Sequence, residues 1–281
     1  MPCPLCEDTG WKPVDAHGIR RVVRCDCWKQ QVGATRLGDA NIPKRYQHCS
    51  LENFVAYNES LAKAVDQARR VAEAFPAVAR GLLLEGQPGV GKTHLAVAVL
   101  KQAIQATGAR GLFYDTRELL RVIRSTYDPS IRTTELEVLR PVMSADLLVL
   151  DDLGAEKTSE WVDETMNLIV NTRYNERRLT IFTSNYPDIP DETEPNSLLF
   201  RIGFRMRSRL HEMCEFLVLD GADYRELPSN GGVDDLINMW KVRKKGTLPS
   251  PRGGRQARAQ LREPARDGRA DLKWPGGRAG S

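Results

Sequence analysis

At 281 residues, 41% of them hydrophobic and 28% charged, the chain is long enough for one large domain or two smaller ones with a buried core. No apolar run approaches the ~20 residues of a membrane span, and Met1-Pro2-Cys3-Pro4 has neither the basic nor the apolar region of a secretory signal, so a cytoplasmic protein with no membrane partner is expected. The formal charge of +4 is uneven: residues 244–281 hold ten Lys/Arg against three Asp/Glu, which from totals of 41 and 37 leaves 31 against 34 in the rest, so basicity belongs to the tail.

In chain order, the cysteines come first. Four of the six lie in the first 27 residues, as Cys3-x2-Cys6 and, eighteen residues on, Cys25-x-Cys27. A reducing cytosol leaves them no role as disulfides. Two thiolates at each end of a hairpin, turning at Asp15-Ala16-His17-Gly18, suit a tetrahedral Zn²⁺ site. Such a site lets a short segment fold with almost no core. An iron–sulfur cluster and a redox pair are the alternatives, and His17 competes as a ligand although four cysteines suffice. Cys49 and Cys214 lack matching neighbours and read as buried thiols. A Val/Arg strand pattern covers Ile19 to Arg24, and residues 28–43 read as a connecting helix and linker. Ile42-Pro43-Lys44-Arg45-Tyr46 is extended, since Pro43 disfavours helix at Ile42.

A βα alternation follows. Helices are expected at Ser60–Ala74, Thr93–Ala106, Thr116–Ser125 (capped by the threonine), Glu160–Arg177 and Arg201–His211. Strands are expected at Gly81–Glu85, Gly111–Asp115, Asp146–Leu150, Leu179–Thr183 and Phe216–Asp220. Strands apolar throughout, separated by helices, imply an α/β fold with a parallel five-stranded sheet covered on both faces.

The chemistry lies in the turns. Gly86-Gln87-Pro88-Gly89-Val90-Gly91-Lys92-Thr93 fits the phosphate-binding loop, between an apolar strand and a helix. Its glycines let backbone N–H groups face a phosphate, and the helix N-terminus adds to the field. Lys92 then reaches the β- and γ-phosphates, and the Thr93 hydroxyl is a ligand for Mg²⁺. The run Asp146 to Leu150 ends in Asp151 and Asp152, 58 residues or more beyond the loop. Asp151 is placed to hold Mg²⁺ through a water and Asp152 to act as general base. Asn185, after Thr183-Ser184, either bonds the lytic water or γ-phosphate or starts a turn before Pro187. Arg201, Arg205 and Arg209 recur every four residues, with Arg207 beside them; like charges stacked this way call for an anion or a solvated face. Arg117, Arg121 and Arg124 form a basic stripe that is either a solvated face or suited to tracking phosphates, and Tyr127 suits stacking on a base. The Arg/Gly tail reads as disordered from about residue 246, either adding salt-sensitive DNA affinity or inert.

These motifs together resemble the AAA+ ATPases of the bacterial helicase-loader group, the DnaC and DnaI proteins, with the IstB transposition helpers as near relatives. The resemblance rests on Ile42 to Tyr46 with Phe54, the phosphate loop with His94-Leu95-Ala96, Leu150 to Glu156, Thr183 to Asn185, and Arg205 to Leu210 followed by Asp223-Tyr224-Arg225, over roughly residues 40–226. It implies that Lys92, Thr93 and His94 belong to Walker A, Asp151 and Asp152 to Walker B, and Asn185 to sensor 1. Arg209, with Arg205 close behind, would be the arginine finger, Arg225 a sensor-2-like residue, and Arg45 and Tyr46 neighbours of the adenine. It also implies that the fourth strand lies between the first and third. One departure is Asp152, where most of these proteins carry Glu; the shorter side chain suggests slow turnover. The chain after Asp220 reads as too short and too Gly/Pro-rich for a full helical lid.

The resulting organisation is a four-cysteine zinc module at 1–30, a linker and extended lead-in at 31–59, an AAA+ domain at 60–226 and a C-terminal extension at 227–281. The function implied is an ATP-driven loader that binds ATP, Mg²⁺, single-stranded DNA and a replicative helicase. A finger given in trans implies ATP-dependent homo-oligomers, head to tail. The alternatives are an IstB-like helper of transposition and a nucleotide-gated DNA adaptor with negligible turnover. A P-loop small-molecule kinase is disfavoured, since no acceptor-site signature is present.

Overall fold

The computed structural model describes residues 3–16 and 19–245. The turn through His17 and Gly18 and the tail from residue 246 lie outside the described residues, and so do the expectations placed on them. The chain opens with an antiparallel hairpin, β1 (Trp11–Ala16) and β2 (Ile19–Arg24), followed by α1 (Asp26–Gly38). After a 3-10 turn at Lys44–Tyr46 comes the alternation: α2 (Glu59–Ala74), β3 (Gly81–Gly86), α3 (Lys92–Thr107), β4 (Gly111–Asp115), α4 (Thr116–Ser125), α5 (Glu135–Ser144), β5 (Leu147–Asp151), α6 (Glu160–Asn175), β6 (Leu179–Ser184), α7 (Leu198–Met213) and β7 (Cys214–Leu219). A second 3-10 turn at Tyr224–Glu226 leads to α8 (Val233–Lys245).

β3 to β7 form one five-stranded, wholly parallel sheet in the order β4-β5-β6-β3-β7. β6 therefore lies between β3 and β5, as the resemblance implied. Alternate residues of each strand serve the two faces. Leu82, Leu84, Leu147, Val149 and Ile181 pack against α2 and α3, while Leu83, Leu148, Leu150 and Phe182 pack against α4, α5, α6 and α7. Every residue of β5 and β6 is buried, which is why these strands carry no alternation of apolar and exposed polar residues. α2 is capped by Asn58 and buries Leu61, Ala64, Val65, Ala68, Val71 and Ala72, one stripe at helical spacing. α1 lies on α3, with Val32 against Gly108 and Gly33 against the Gln105 backbone.

Five local features differ from the sequence expectation. Lys44–Tyr46, expected to be extended, form a 3-10 turn after Pro43 (φ −57°, ψ 142°). α4 is capped by Asp115, whose carboxylate accepts from the Glu118 N–H; the threonine expected to cap it, Thr116, is buried and donates to the Asp151 carbonyl. α5, which no periodicity revealed, begins with a Thr134/Glu137 capping box and contains Pro141. α7 starts at Leu198, capped by Ser197, and is kinked at Gly203 (φ 75°, ψ 160°), so Arg201 stands on a different helical segment from Arg205 and Arg209. α8 begins where Asp235 accepts from the Gly232 N–H. Trp240 on α8 lies edge-on to Tyr57 and donates to Asp220.

Candidate functional site

In a parallel sheet the strands end together, so β3, β5 and β6 bring the phosphate loop, Asp151 and Asn185 to one edge. The loop can approach this closely only through its glycines. A Cβ on Gly89 (φ +79°) would fall 1.7 Å from Asp223 Oδ1, and one on Gly91 (φ +100°) 2.5 Å from Phe54 Cε2.

The Lys92 ammonium donates to the carbonyls of Gly86 and Gln87, each at 2.8 Å, and to Asn185 Oδ1 at 2.7 Å. The other end of the same amide, Asn185 Nδ2, donates to Asp152 Oδ1. Thr93 Oγ1 donates to Asp151 at 2.9 Å. A residue that sequence reasoning passed over completes the set. Thr183 donates through Oγ1 to Asp151 Oδ1 at 2.6 Å and accepts from the Asp152 N–H at 2.9 Å. Asp152 has φ 59°, a left-handed conformation that Asp tolerates better than most residues. Burial pulls the Lys92 ammonium down to about 8, against the opposing pull of Asp152 and Asp151. Burial pushes both carboxyls up. The Thr93 hydroxyl and the Asp151 carboxylate form an oxygen pair of the kind a hard divalent cation takes.

These groups floor a cleft of about 750 Å³, a size that suits a small-molecule ligand. Pro88 through His94 line it, together with Asp115, Asp151, Asp152, Thr183 and Asn185. It is lined as well by Arg45, Tyr46, His48, Phe54, Val55 and Tyr57, and by Tyr224, Arg225 and Leu236 of the C-terminal part. Arg45 lies over the Tyr46 ring, Phe54 meets His94 edge-on, and His94 bonds the Ser50 carbonyl. Tyr57 and Leu236 carried no local motif; Tyr57 lies in the segment before α2 and Leu236 on α8, and both line the cleft.

Of the α7 arginines, Arg207 is turned inward onto Asp188, and Arg201 stacks over Tyr186. Arg205 is exposed and Arg209 half-buried, its guanidinium donating to the Arg205 carbonyl. They lie outside the cleft of their own chain. On α4, Leu119, Leu120 and Ile123 are buried and Arg117, Arg121 and Arg124 exposed. The three arginines differ in surroundings. Arg117 donates to the Ala155 carbonyl, Arg121 lies 4.0 Å from Glu118, and Arg124 stacks over Trp161. Trp161 donates its indole N–H to the Tyr127 hydroxyl, which donates to Glu135.

The sulfurs of Cys3, Cys6, Cys25 and Cys27 all lie within 4.8 Å of one another. A tetrahedral zinc site of four sulfurs with bonds of about 2.3 Å has sulfurs about 3.8 Å apart, so the cluster fits one ion. Positive φ at Glu7, Asp8 and Gly10 turns the first pair back onto the second. The bond between Cys6 and Cys27 holds the Cys6 thiol down at about 7 and the Cys27 thiol up. Cys49 and Cys214 are buried apart from the cluster. Among the described residues no helix is long and apolar enough to cross a membrane.

Comparison with known proteins follows the same outline. The profile of the IstB-like ATP binding protein family matches residues 34–191. The replicative helicase loader DnaC of Buchnera aphidicola subsp. Schizaphis graminum is 31% identical over 149 residues, 53% of this chain and 60% of that protein. The chain thus spans about 60% of the length of this curated relative. Among solved structures, the DnaC helicase loader is 36% identical with a TM-score of 0.56, covering 63% of this chain and 99% of that one. DnaI is 26% identical with a TM-score of 0.53, covering 65% and 94%.

Proposed function

The chain belongs to the IstB-like ATP binding protein family, and from that premise we propose that it is an ATP-dependent helicase loader that takes up ATP with Mg²⁺, single-stranded DNA and a replicative helicase. The observation that carries the reading is the joined network at the strand ends. Lys92 bonds Asn185, Asn185 bonds Asp152, and Thr93 and Thr183 bond Asp151, all on the floor of one cleft. In this reading the loop amides and Lys92 hold the triphosphate, and Thr93 and Asp151 hold Mg²⁺. Asp152 takes the proton of the attacking water while Asn185 orients it. Arg45, Tyr46 and Arg225, which line the same cleft, contact the nucleotide. Arg209, or Arg205, reaches the triphosphate of a neighbouring subunit, which makes hydrolysis depend on head-to-tail assembly. The short Asp152 side chain makes turnover slow, as suits a switch. Arg121 and Arg124 with the Trp161 and Tyr127 rings offer charge and stacking surface to single-stranded DNA. Zn²⁺ in the four-cysteine site makes residues 1–30 a small module ahead of the ATPase domain, in a cytoplasmic protein.

The test is co-purification. With ATP the chain is expected to retain a DnaB-type helicase ring and to hydrolyse ATP slowly, at a rate that single-stranded DNA changes. Absence of a complex with helicase in ATP would overturn the reading. The family match also supports a second reading, a helper of transposition; retention of a transposase instead of a helicase would establish it. Hydrolysis that is absent under every condition would leave a nucleotide-gated adaptor.

A further inference from the structure

Arg205 is exposed and Arg209 half-buried, both outside the cleft of their own chain, on a part of α7 that is not continuous with its start. Gly203 interrupts α7 with a conformation outside the helical range, and a Cβ there would meet nothing within 4 Å. Residues 204–213 therefore take their orientation from contacts of their own: Met206 and Leu210 are buried in the core. Arg207 adds the polar anchor. At about 100° per residue, Arg207 lies on the face of α7 opposite both Arg205 and Arg209. Its guanidinium grips Asp188 with two bonds, Nε to Oδ1 and a terminal nitrogen to Oδ2 at 3.0 Å. His211, one turn further, meets Asp188 Oδ2 at 3.0 Å while its ring lies flat on Phe216 at 4.2 Å. The Arg207 and Asp188 side chains are only 17% and 12% exposed, so water competes little for the bond.

Asp188 also reaches the strand that carries the phosphate loop. It stands three residues after Asn185, and its N–H donates at 2.7 Å to Glu85, the residue just before the loop glycine Gly86. We propose that Asp188 is a positioning residue: through Arg207 it sets the direction in which Arg205 and Arg209 are presented to a neighbouring subunit, and through Glu85 it ties that direction to the chain's own phosphate loop. The proposal rests on the reading of Arg205 and Arg209 as donors in trans.

Asp188→Asn keeps the shape and the backbone bond to Glu85 but removes the charge that holds Arg207; Arg207→Met removes the other partner. Each variant is expected to bind a fluorescent ATP analogue within about twofold of the native chain. Each is expected to hydrolyse ATP about a hundredfold more slowly when alone, the scale of a catalytic group misplaced by about 1 Å. Subunits carrying Asp152→Asn, which keep their donor arginines and lack the general base, are then expected to restore hydrolysis at D188N sites. Subunits carrying Arg209→Ala are not. A general packing defect would not be rescued by either partner. Native rates in both D188N and R207M, loss of analogue binding in both, or failure of the D152N rescue would each overturn the proposal. If R205A and R209A alone both hydrolyse at the native rate, the reading beneath it fails as well, and that outcome is visible without D188N.

Discussion

Thr183→Val tests the joint between the two halves of the site. Thr183 is buried, its hydroxyl donates to Asp151 Oδ1 at 2.6 Å, and it accepts from the Asp152 N–H at 2.9 Å. Valine matches it in shape and fills neither role. Losing a hydrogen bond to a carboxylate costs about 1.5–3 kcal/mol, and leaving a buried N–H without an acceptor about 1–3 kcal/mol. Burying a methyl in place of the hydroxyl returns about 1 kcal/mol. The net is a loss of about 1.5–5 kcal/mol, which for a domain of this size lowers Tm by roughly 3–20 °C. Thr183→Ser keeps both bonds and should melt within about 3 °C of the native chain, since it loses only one methyl. Thermal unfolding of the two variants without nucleotide is the assay. If T183V melts within about 2 °C of the native chain, the hydroxyl is not the bridge between Asp151 and the Asp152 backbone, and the reasoning fails.

Gly89→Ala should abolish Mg·ATP uptake in calorimetry, because the new Cβ falls on the Asp223 carboxylate and the loop cannot keep its course; uptake within about threefold of native would refute the close-approach argument. Burial pushes the Glu85 carboxyl up, and the nearby Asp188 charge adds to the push. The unfolded chain therefore loses this proton first as pH rises, so the native state holds more protons and stability falls with pH through the window above the ordinary Glu value. Glu85→Gln should remove that slope while keeping an acceptor for the Asp188 N–H, and parallel Tm profiles for the two chains between pH 4 and 7, about the window in question, would contradict it. Protein purified without added metal should carry one zinc per chain by elemental analysis, and Cys6→Ser with Cys27→Ser should lose it. Absence of bound metal from the native chain would refute the zinc assignment.

The parts of this protein legible in its sequence are those where one backbone segment carries its own requirement. The phosphate loop had to show three glycines in sequence, because its backbone conformation excludes side chains at Gly89 and Gly91. The central strands had to be mainly apolar on both faces, because helices cover both. Features built from distant segments left little trace. Thr183 reads as one more β-branched strand residue, and its role exists only because β6 lies beside β5. Tyr57 and Leu236 wall the cleft from opposite ends of the chain. α5 hid behind Pro141, although its Thr134/Glu137 capping box was available as a start signal. The arginine repeat on α7 misled in a simpler way: spacing by four implies one face only while the helix is continuous, and Gly203 breaks it.

The choice of residue at position 185 follows from the same accounting. Its side chain accepts from the Lys92 ammonium at one end and donates to the Asp152 carboxylate at the other. A carboxylate there would bond the ammonium and repel Asp152; a hydroxyl is too short to span both. An amide offers an acceptor and a donor at a fixed separation, and Asn rather than Gln keeps it rigid with one fewer torsion. On the proposed reading, this couples two events in the cycle. A γ-phosphate oxygen that draws on Lys92 competes with the Asn185 carbonyl for the same ammonium, and any rotation of the amide that follows alters the bond that holds Asp152. The group that senses the phosphate and the group that restrains the base are then opposite ends of one side chain, so arrival of the triphosphate and release of the general base need no separate signal.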